Sequence, residues 1–236
     1  MVGRSRLAAL AAVSLLSATP LRAQTPILLT PEQYDPAKVL PPPPLRGSAR
    51  ERSEILELEH VQATANPAQH QAAAWDDEHE DPVIFASVIG PGFDMAKLPA
   101  TAALFHLVIK NESKASSAAK KFFQRDRPWI VDPGIRTCTP HEPGPQKNSY
   151  PGGHASVGYA MAVVLSSLMP GKSKVVMERA RVFAENRIVC GYHYRSDNEA
   201  GRALGTLVAN DLMRAPGFKA PYQAAAAELR AAHLTP

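Results

Sequence analysis

Apolar positions recur at helical spacing along most of the chain. Ile55, Leu58 and Val61 fall three residues apart behind Ser48 and Glu51, a pair whose spacing makes a capping box at a helix start. Asn66-Pro67 and Asp81-Pro82 are two further pairs suited to the N-cap and first helical position. Gly90-Pro91-Gly92 breaks the chain, and Pro99 opens a helix with Leu104, Leu107 and Val108 inside. A separate helix is predicted from Ser113 to about Arg125, ending near Pro128, where the ring clashes with a continuing turn. Helical patterns follow over 154–169, about 173–189 and about 193–213, and an alanine-rich helix near 222–232 closes the chain. No run of alternating β-branched residues and no internal repeat is present, so the predicted fold class is all-α, a single-domain helical bundle.

Two stretches escape the helical pattern. Residues 24–46 are proline-rich and contain Pro41 to Pro44 in a row, which reads as an extended arm packed on the domain or a flexible tail. Between Pro128 and Pro151 lie 22 residues rich in proline and glycine, and so long an irregular segment in a compact domain is usually functional.

Composition changes the picture at the N-terminus. Arg4 and Arg6, the apolar run from Leu7 to Leu16 and the small residue Ala23 have the layout of a secretory signal peptide. The run is too short to span a bilayer. The expected organisation is a signal peptide over 1–23, a proline-rich arm over 24–46 and a helical domain over 47–236, in the bacterial periplasm. The formal charge of +4 over 236 residues shrinks once the three arginines of the leader are removed. It then gives no argument for nucleic acid or a membrane surface as partner. Cys138 and Cys190 form an even pair. In an exported chain this suggests a disulfide, with two buried free thiols as the alternative.

Three segments put charge where a helix should be apolar. In the first, Lys120 and Arg127 are seven apart, which predicts that they share one helix face. In the second, Gly152 and Gly153 precede His154 at the start of an apolar helix, where free N–H groups and the helix dipole favour an anion. In the third, Arg187 continues the apolar stripe Val176, Ala180, Phe183, and a charge on a core face needs a partner or an anion. His193 and Asp197 follow at i and i+4, so the carboxylate can fix one imidazole nitrogen and activate the other. Each segment alone has a bland reading: a basic surface stripe, an ordinary turn, a surface His–Asp pair. Together they supply what a transferring phosphoryl group needs. Lys120, Arg127 and Arg187 would hold the equatorial oxygens with the Gly153 N–H, His193 would attack, and His154 would protonate the leaving oxygen.

The order Lys-x6-Arg-Pro, Pro-x-Gly-His, Arg-x5-His-x3-Asp resembles the three-part signature of a superfamily. It unites type 2 phosphatidic acid phosphatases, vanadium haloperoxidases and bacterial class A nonspecific acid phosphatases. Here it reads Lys120, Arg127, Pro128; Pro151, Gly153, His154; Arg187, His193, Asp197. Flanking text such as Leu40-Pro-Pro-Pro-Pro, Asn148-Ser-Tyr-Pro and Val189-Cys-Gly-Tyr-His is most similar to class A. The resemblance implies a phosphohistidine on His193, Asp197 as its orienter, His154 as the acid, small phosphate monoesters as substrates, and no metal or other cofactor. It leaves a homodimer open. Two positions depart: the family has serine at Gly152 and at Asn186. The flanks of Gly152 keep the pattern, so a serine there is expected to restore a phosphate contact and raise turnover.

The run Asp76-Asp77-Glu78-His79-Glu80-Asp81 lacks dispersed ligands for a metal and reads as a solvated turn. Two competing functions remain at this stage: a vanadate-dependent haloperoxidase-like enzyme, separable by bromide oxidation, and a phosphate-binding protein without turnover.

Overall fold

The computed structural model describes residues 25–141 and 143–235, so the predicted signal peptide at 1–23 lies outside the described residues. Among the described residues ten α-helices follow one another: α1 (Pro36–Val39), α2 (Ala49–Thr64), α3 (Pro67–Asp77), α4 (Ala86–Ile89), α5 (Pro99–Phe123), α6 (Pro128–Val131), α7 (Gly153–Leu168), α8 (Ser173–Val189), α9 (Arg195–Arg214) and α10 (Lys219–Ala231). Four 3-10 turns lie between or before them, and no strand occurs among the described residues. The predicted caps form. Ser48 accepts from Glu51 N ahead of α2, Asn66 from Gln69 N ahead of α3, and Asp81 from Val83 N ahead of the turn Pro82–Phe85.

The centre of the bundle is α7. Alanine, valine, leucine and methionine cover nearly its whole circumference, and it is enclosed by α5, α8 and α9. A helix apolar all round has to be buried in this way. Gly201 and Gly205, one turn apart on α9, set the spacing to α7. A Cβ on Gly201 would strike the Gly152 carbonyl, and one on Gly205 the Ser156 carbonyl. Glycine therefore lets the backbone of α9 touch the first turns of α7. Gly191, at φ +67°, turns the chain between α8 and α9 in a conformation that favours glycine.

Two expected boundaries differ. The helix opened by Pro99 and the separate one predicted from Ser113 are a single helix of 25 residues, Pro99–Phe123. The polar pair Asn111 and Glu112 is buried inside it. Asn111 Oδ1 accepts from Leu28 N at 2.7 Å, and its amide donates to Leu107 O. That bond anchors the proline-rich arm, which packs through Leu29, Tyr34 and Leu40, while Tyr150 Oη donates to Pro41 O at 2.6 Å. Of the two readings of residues 25–46, the structure has the packed arm. The second difference is that α5 stops at Phe123, where Gln124 takes a left-handed φ of 52°. Lys120 and Arg127 thus do not share a helix, because Arg127 is the N-cap of α6.

Candidate active site

The site lies where the C-terminal end of α5, the start of α7, the C-terminal end of α8 and the start of α9 converge. All the residues singled out from the sequence meet there. Lys120 and Arg127 converge through the 129–150 segment and not through a helix. Lys120 Nζ donates to Asn148 O at 2.9 Å, and Arg127 Nε to Asn148 Oδ1 at 2.7 Å. A Cβ built on Gly153 would lie 3.5 Å from Lys120 Nζ, so the lysine sits directly over the first turn of α7. No side chain caps that helix, which leaves the N–H groups of its first turn without a capping acceptor there.

His193 lies just before α9, outside it. Tyr194 is the N-cap, and the Asp197 carboxylate folds back over the helix start. Asp197 Oδ2 accepts from Tyr194 N at 3.0 Å and Ser149 Oγ at 2.6 Å, and lies 3.2 Å from His193 Nδ1. Its Oδ1 accepts from Arg125 at 2.6 Å. On the other side of the ring, Arg127 Nη1 is 3.0 Å from His193 Nε2. A guanidinium can only donate, so Nε2 carries the lone pair and Nδ1 the proton. Burial, then the charges of Arg127, Lys120, Arg187 and His154, hold the His193 imidazole well below its ordinary pKa. It is therefore neutral, with a nucleophilic nitrogen turned toward the cations. Burial and the neighbouring Arg127 lower Lys120 to about 8, and burial lowers Arg127 to about 10.

Arg187 continues the buried stripe of α8, as its register predicts. It pairs with Asp77, lies over the Tyr192 ring at 4.4 Å, and its buried Nε has no hydrogen-bond partner. His154 Nδ1 lies 2.6 Å from Glu80 Oε1, and Nε2 lies 3.2 Å from Asp77 O. Two acceptors flank the ring, an arrangement that a doubly protonated imidazolium satisfies on both sides.

These contacts correct the reading of residues 76–81 as a solvated turn. Asp76 is buried against Arg179 and Asn186, the partly buried Asp77 pairs with Arg187 and accepts from Thr139, and Glu80 reaches His154. The carboxylates lie beside cations rather than around a metal, and no group of three or more potential ligands converges among the described residues. Asn186 thereby has a role where the family has serine: its amide donates to Asp76 at 2.7 Å. The sequence reading also missed Arg125. Its guanidinium bridges Asp197, Ser196 and Glu54 of α2, and lies 3.7 Å from the Tyr194 ring centroid. Its place two residues before Arg127 in an otherwise soluble-looking basic stretch was the available signal.

Gly152 has φ −66°, so nothing in its backbone demands glycine. Space does. A Cβ there would lie 3.0 Å from Asn198 Oδ1 and 3.2 Å from Asp197 O. Asn198 is held by a 2.6 Å bond from its amide to Ala184 O. A serine there fits the turn only if Asn198 or the Asp197 carbonyl moves by a few tenths of an ångström. Cys138 and Cys190 are disulfide-bonded. The bond brings Thr139 onto Asp77 and the Tyr192 hydroxyl.

Comparison with known proteins finds relatives over most of the chain. The PAP2 superfamily matches residues 98–220, which span the three signature blocks. An acid phosphatase of Zymomonas mobilis is 30% identical over 73% of this chain and 67% of its own. Non-specific acid phosphatases of Salmonella typhimurium and Providencia stuartii are 31% and 28% identical over 76% and 82% of this chain, and 74% and 80% of theirs. Among solved structures, a transmembrane PAP2-type phosphatidylglycerolphosphate phosphatase of Bacillus subtilis superposes with a TM-score of 0.53. It has 15% identity and covers 74% of this chain and 88% of its own, a likeness of fold. No helix among the described residues is long and apolar enough to cross a membrane.

Proposed function

The chain belongs to the PAP2 superfamily and is an acid phosphatase of the class A nonspecific kind, and on that premise we propose that it hydrolyses phosphate monoesters in the periplasm through a phosphohistidine on His193. The observation that carries this reading is the state of His193. It is buried and neutral, with Nδ1 on Asp197 and Nε2 facing Arg127.

An incoming phosphate takes Arg127 from His193, and Lys120 and the unpartnered Nε of Arg187 complete the cradle. Nε2 attacks phosphorus as the P–O bond to the leaving group breaks, and His154 gives that oxygen its proton. A water then attacks the phosphohistidine, losing its proton to His154; the P–O bond forms as the N–P bond breaks, its electron pair returns to Nε2, and inorganic phosphate leaves. Asp197 stabilises the imidazolium character that develops during attack. Charge neutralisation comes from side chains, so activity is expected to persist in chelator and to fall with vanadate, which copies the five-coordinate geometry. Export by the 1–23 leader would deliver the enzyme to the periplasm.

The test is covalent trapping. Rapid quench with 32P-labelled substrate should give an acid-labile, alkali-stable label on His193, and His193→Ala should lose both label and turnover. A label on serine, or full turnover by the alanine variant, would refute the mechanism.

A further inference from the structure

The leaving-group side of the site carries a carboxylate that the hydrolytic steps do not use. Glu80 Oε1 lies 2.6 Å from His154 Nδ1, on the residue proposed to protonate the leaving oxygen. Its side chain remains half-exposed, at 52%. No lysine or arginine among the described residues makes an ion pair with it, whereas Asp76 and Asp77 are spent on Arg179 and Arg187. Its carboxyl stays ionised: burial works against the charge, but the His154 hydrogen bond and the charges of His154, Arg187 and Lys120 outweigh it and lower the pKa.

Resting on the phosphatase reading, we infer that Glu80 is a specificity-determining residue that selects phosphate monoesters whose leaving group carries a cation over those whose leaving group carries an anion. The phosphoryl group is held by Lys120, Arg127 and Arg187 on the His193 side. The ester oxygen must come within hydrogen-bond reach of His154, so the group attached to it projects beside the carboxylate bonded to that same ring. In an amino-alcohol phosphate the ammonium lies two carbons beyond the ester oxygen, and from there it can reach Glu80. In a phosphorylated hydroxy acid a carboxylate takes that place and is repelled. Opposite and like charges at contact in a partly solvated site are each worth a factor of about five. The ratio between the two substrate types is therefore on the order of tenfold or more.

The experiment compares kcat/KM for O-phosphoethanolamine, 2-hydroxyethyl phosphate and phosphoglycolate in the wild-type protein, Glu80→Gln and Glu80→Lys, with p-nitrophenyl phosphate as reference. Glutamine keeps the shape and the acceptor for His154 and removes only the charge. A lost support for His154 would slow all esters together, whereas lost charge selection changes their ratio. The wild type should prefer the cationic over the anionic ester about tenfold at low salt, less at high salt. Glu80→Gln should bring the ratio close to one, and Glu80→Lys should invert it. A ratio that stays within twofold across the three proteins, or a wild type that prefers phosphoglycolate, would overturn the assignment. A wild type that hydrolyses none of the esters, the reference included, would instead sink the phosphatase reading and this inference with it.

Discussion

Asp197 is where catalysis and folding meet. One carboxylate receives Arg125, Ser149, Tyr194 N and His193. Asp197→Asn removes the orientation of His193 and also leaves the buried Arg125 guanidinium with Glu54 as its remaining carboxylate. We expect kcat to fall by about 10²–10⁴, with stability lowered by about 2–4 kcal/mol. Single-turnover kinetics and urea denaturation would separate the two losses. A rate loss with no change in stability would mean that the Arg125 pair is energetically idle. Gly152 gives the second prediction. A serine hydroxyl would offer a phosphate contact, but its Cβ meets an anchored Asn198 and the Asp197 carbonyl. Gly152→Ser should therefore lower kcat/KM on p-nitrophenyl phosphate by about tenfold, as off-rotamer or displaced side chains disturb the 151–154 turn. Adding Asn198→Ala should recover most of the loss. A single variant faster than the wild type would show that Asn198 gives way freely.

The elements matter through what they bring to the site. The apolar stripe of α8 carries Arg187 inward, and the glycine face of α9 presses the His193–Asp197 corner against the first turn of α7. The 129–150 segment contributes Thr139, Asn148 and Ser149, all bonded to site residues. Its disulfide closes a separation of 52 residues, a loop whose closure is worth up to about 4 kcal/mol in the chain-entropy picture. Replacing both cysteines with serine should lower stability by about 2–4 kcal/mol. It should also raise KM more than it lowers kcat, since Thr139 would no longer be held on Asp77 beside Arg187. Two thiols titrating in the denatured, unreduced wild type would refute the bond, and an unchanged KM would refute its link to the site.

At the level of the whole molecule, the cations packed close to His193 set the pH dependence of the site. Burial and surrounding cations hold His193 below its ordinary range, so the nucleophile stays unprotonated on the acid side. Lys120, lowered to about 8, loses its positive charge as pH rises through that value, and phosphate binding weakens. The expected profile of kcat/KM retains activity near pH 5 and declines above about pH 8. The decline in kcat should lie at higher pH, because a bound phosphate dianion favours the charged lysine. Initial rates on p-nitrophenyl phosphate across pH 4–10 would check this, and a maximum above pH 8 would contradict it.

Much of this protein was legible without coordinates. Helical periodicity and caps set the class, because apolar spacing and N-cap chemistry are local. The three charged segments named Lys120, Arg127, His154, Arg187, His193 and Asp197, because charge in an apolar register is anomalous wherever the helix ends up. The tertiary structure decided what depended on distant partners. It joined the two halves of α5 by burying Asn111 against the N-terminal arm, and it brought Lys120 and Arg127 together through Asn148 after the helix had ended. It also gave Gly152 its reason in Asn198. The acidic run 76–81 shows the difference most clearly. By composition it matches a solvated turn, yet Arg179, Arg187 and His154, more than 70 residues away along the chain, are packed against it by the fold. A charge reads as solvated or as part of a site according to what folding sets beside it, and that neighbour is absent from the local sequence.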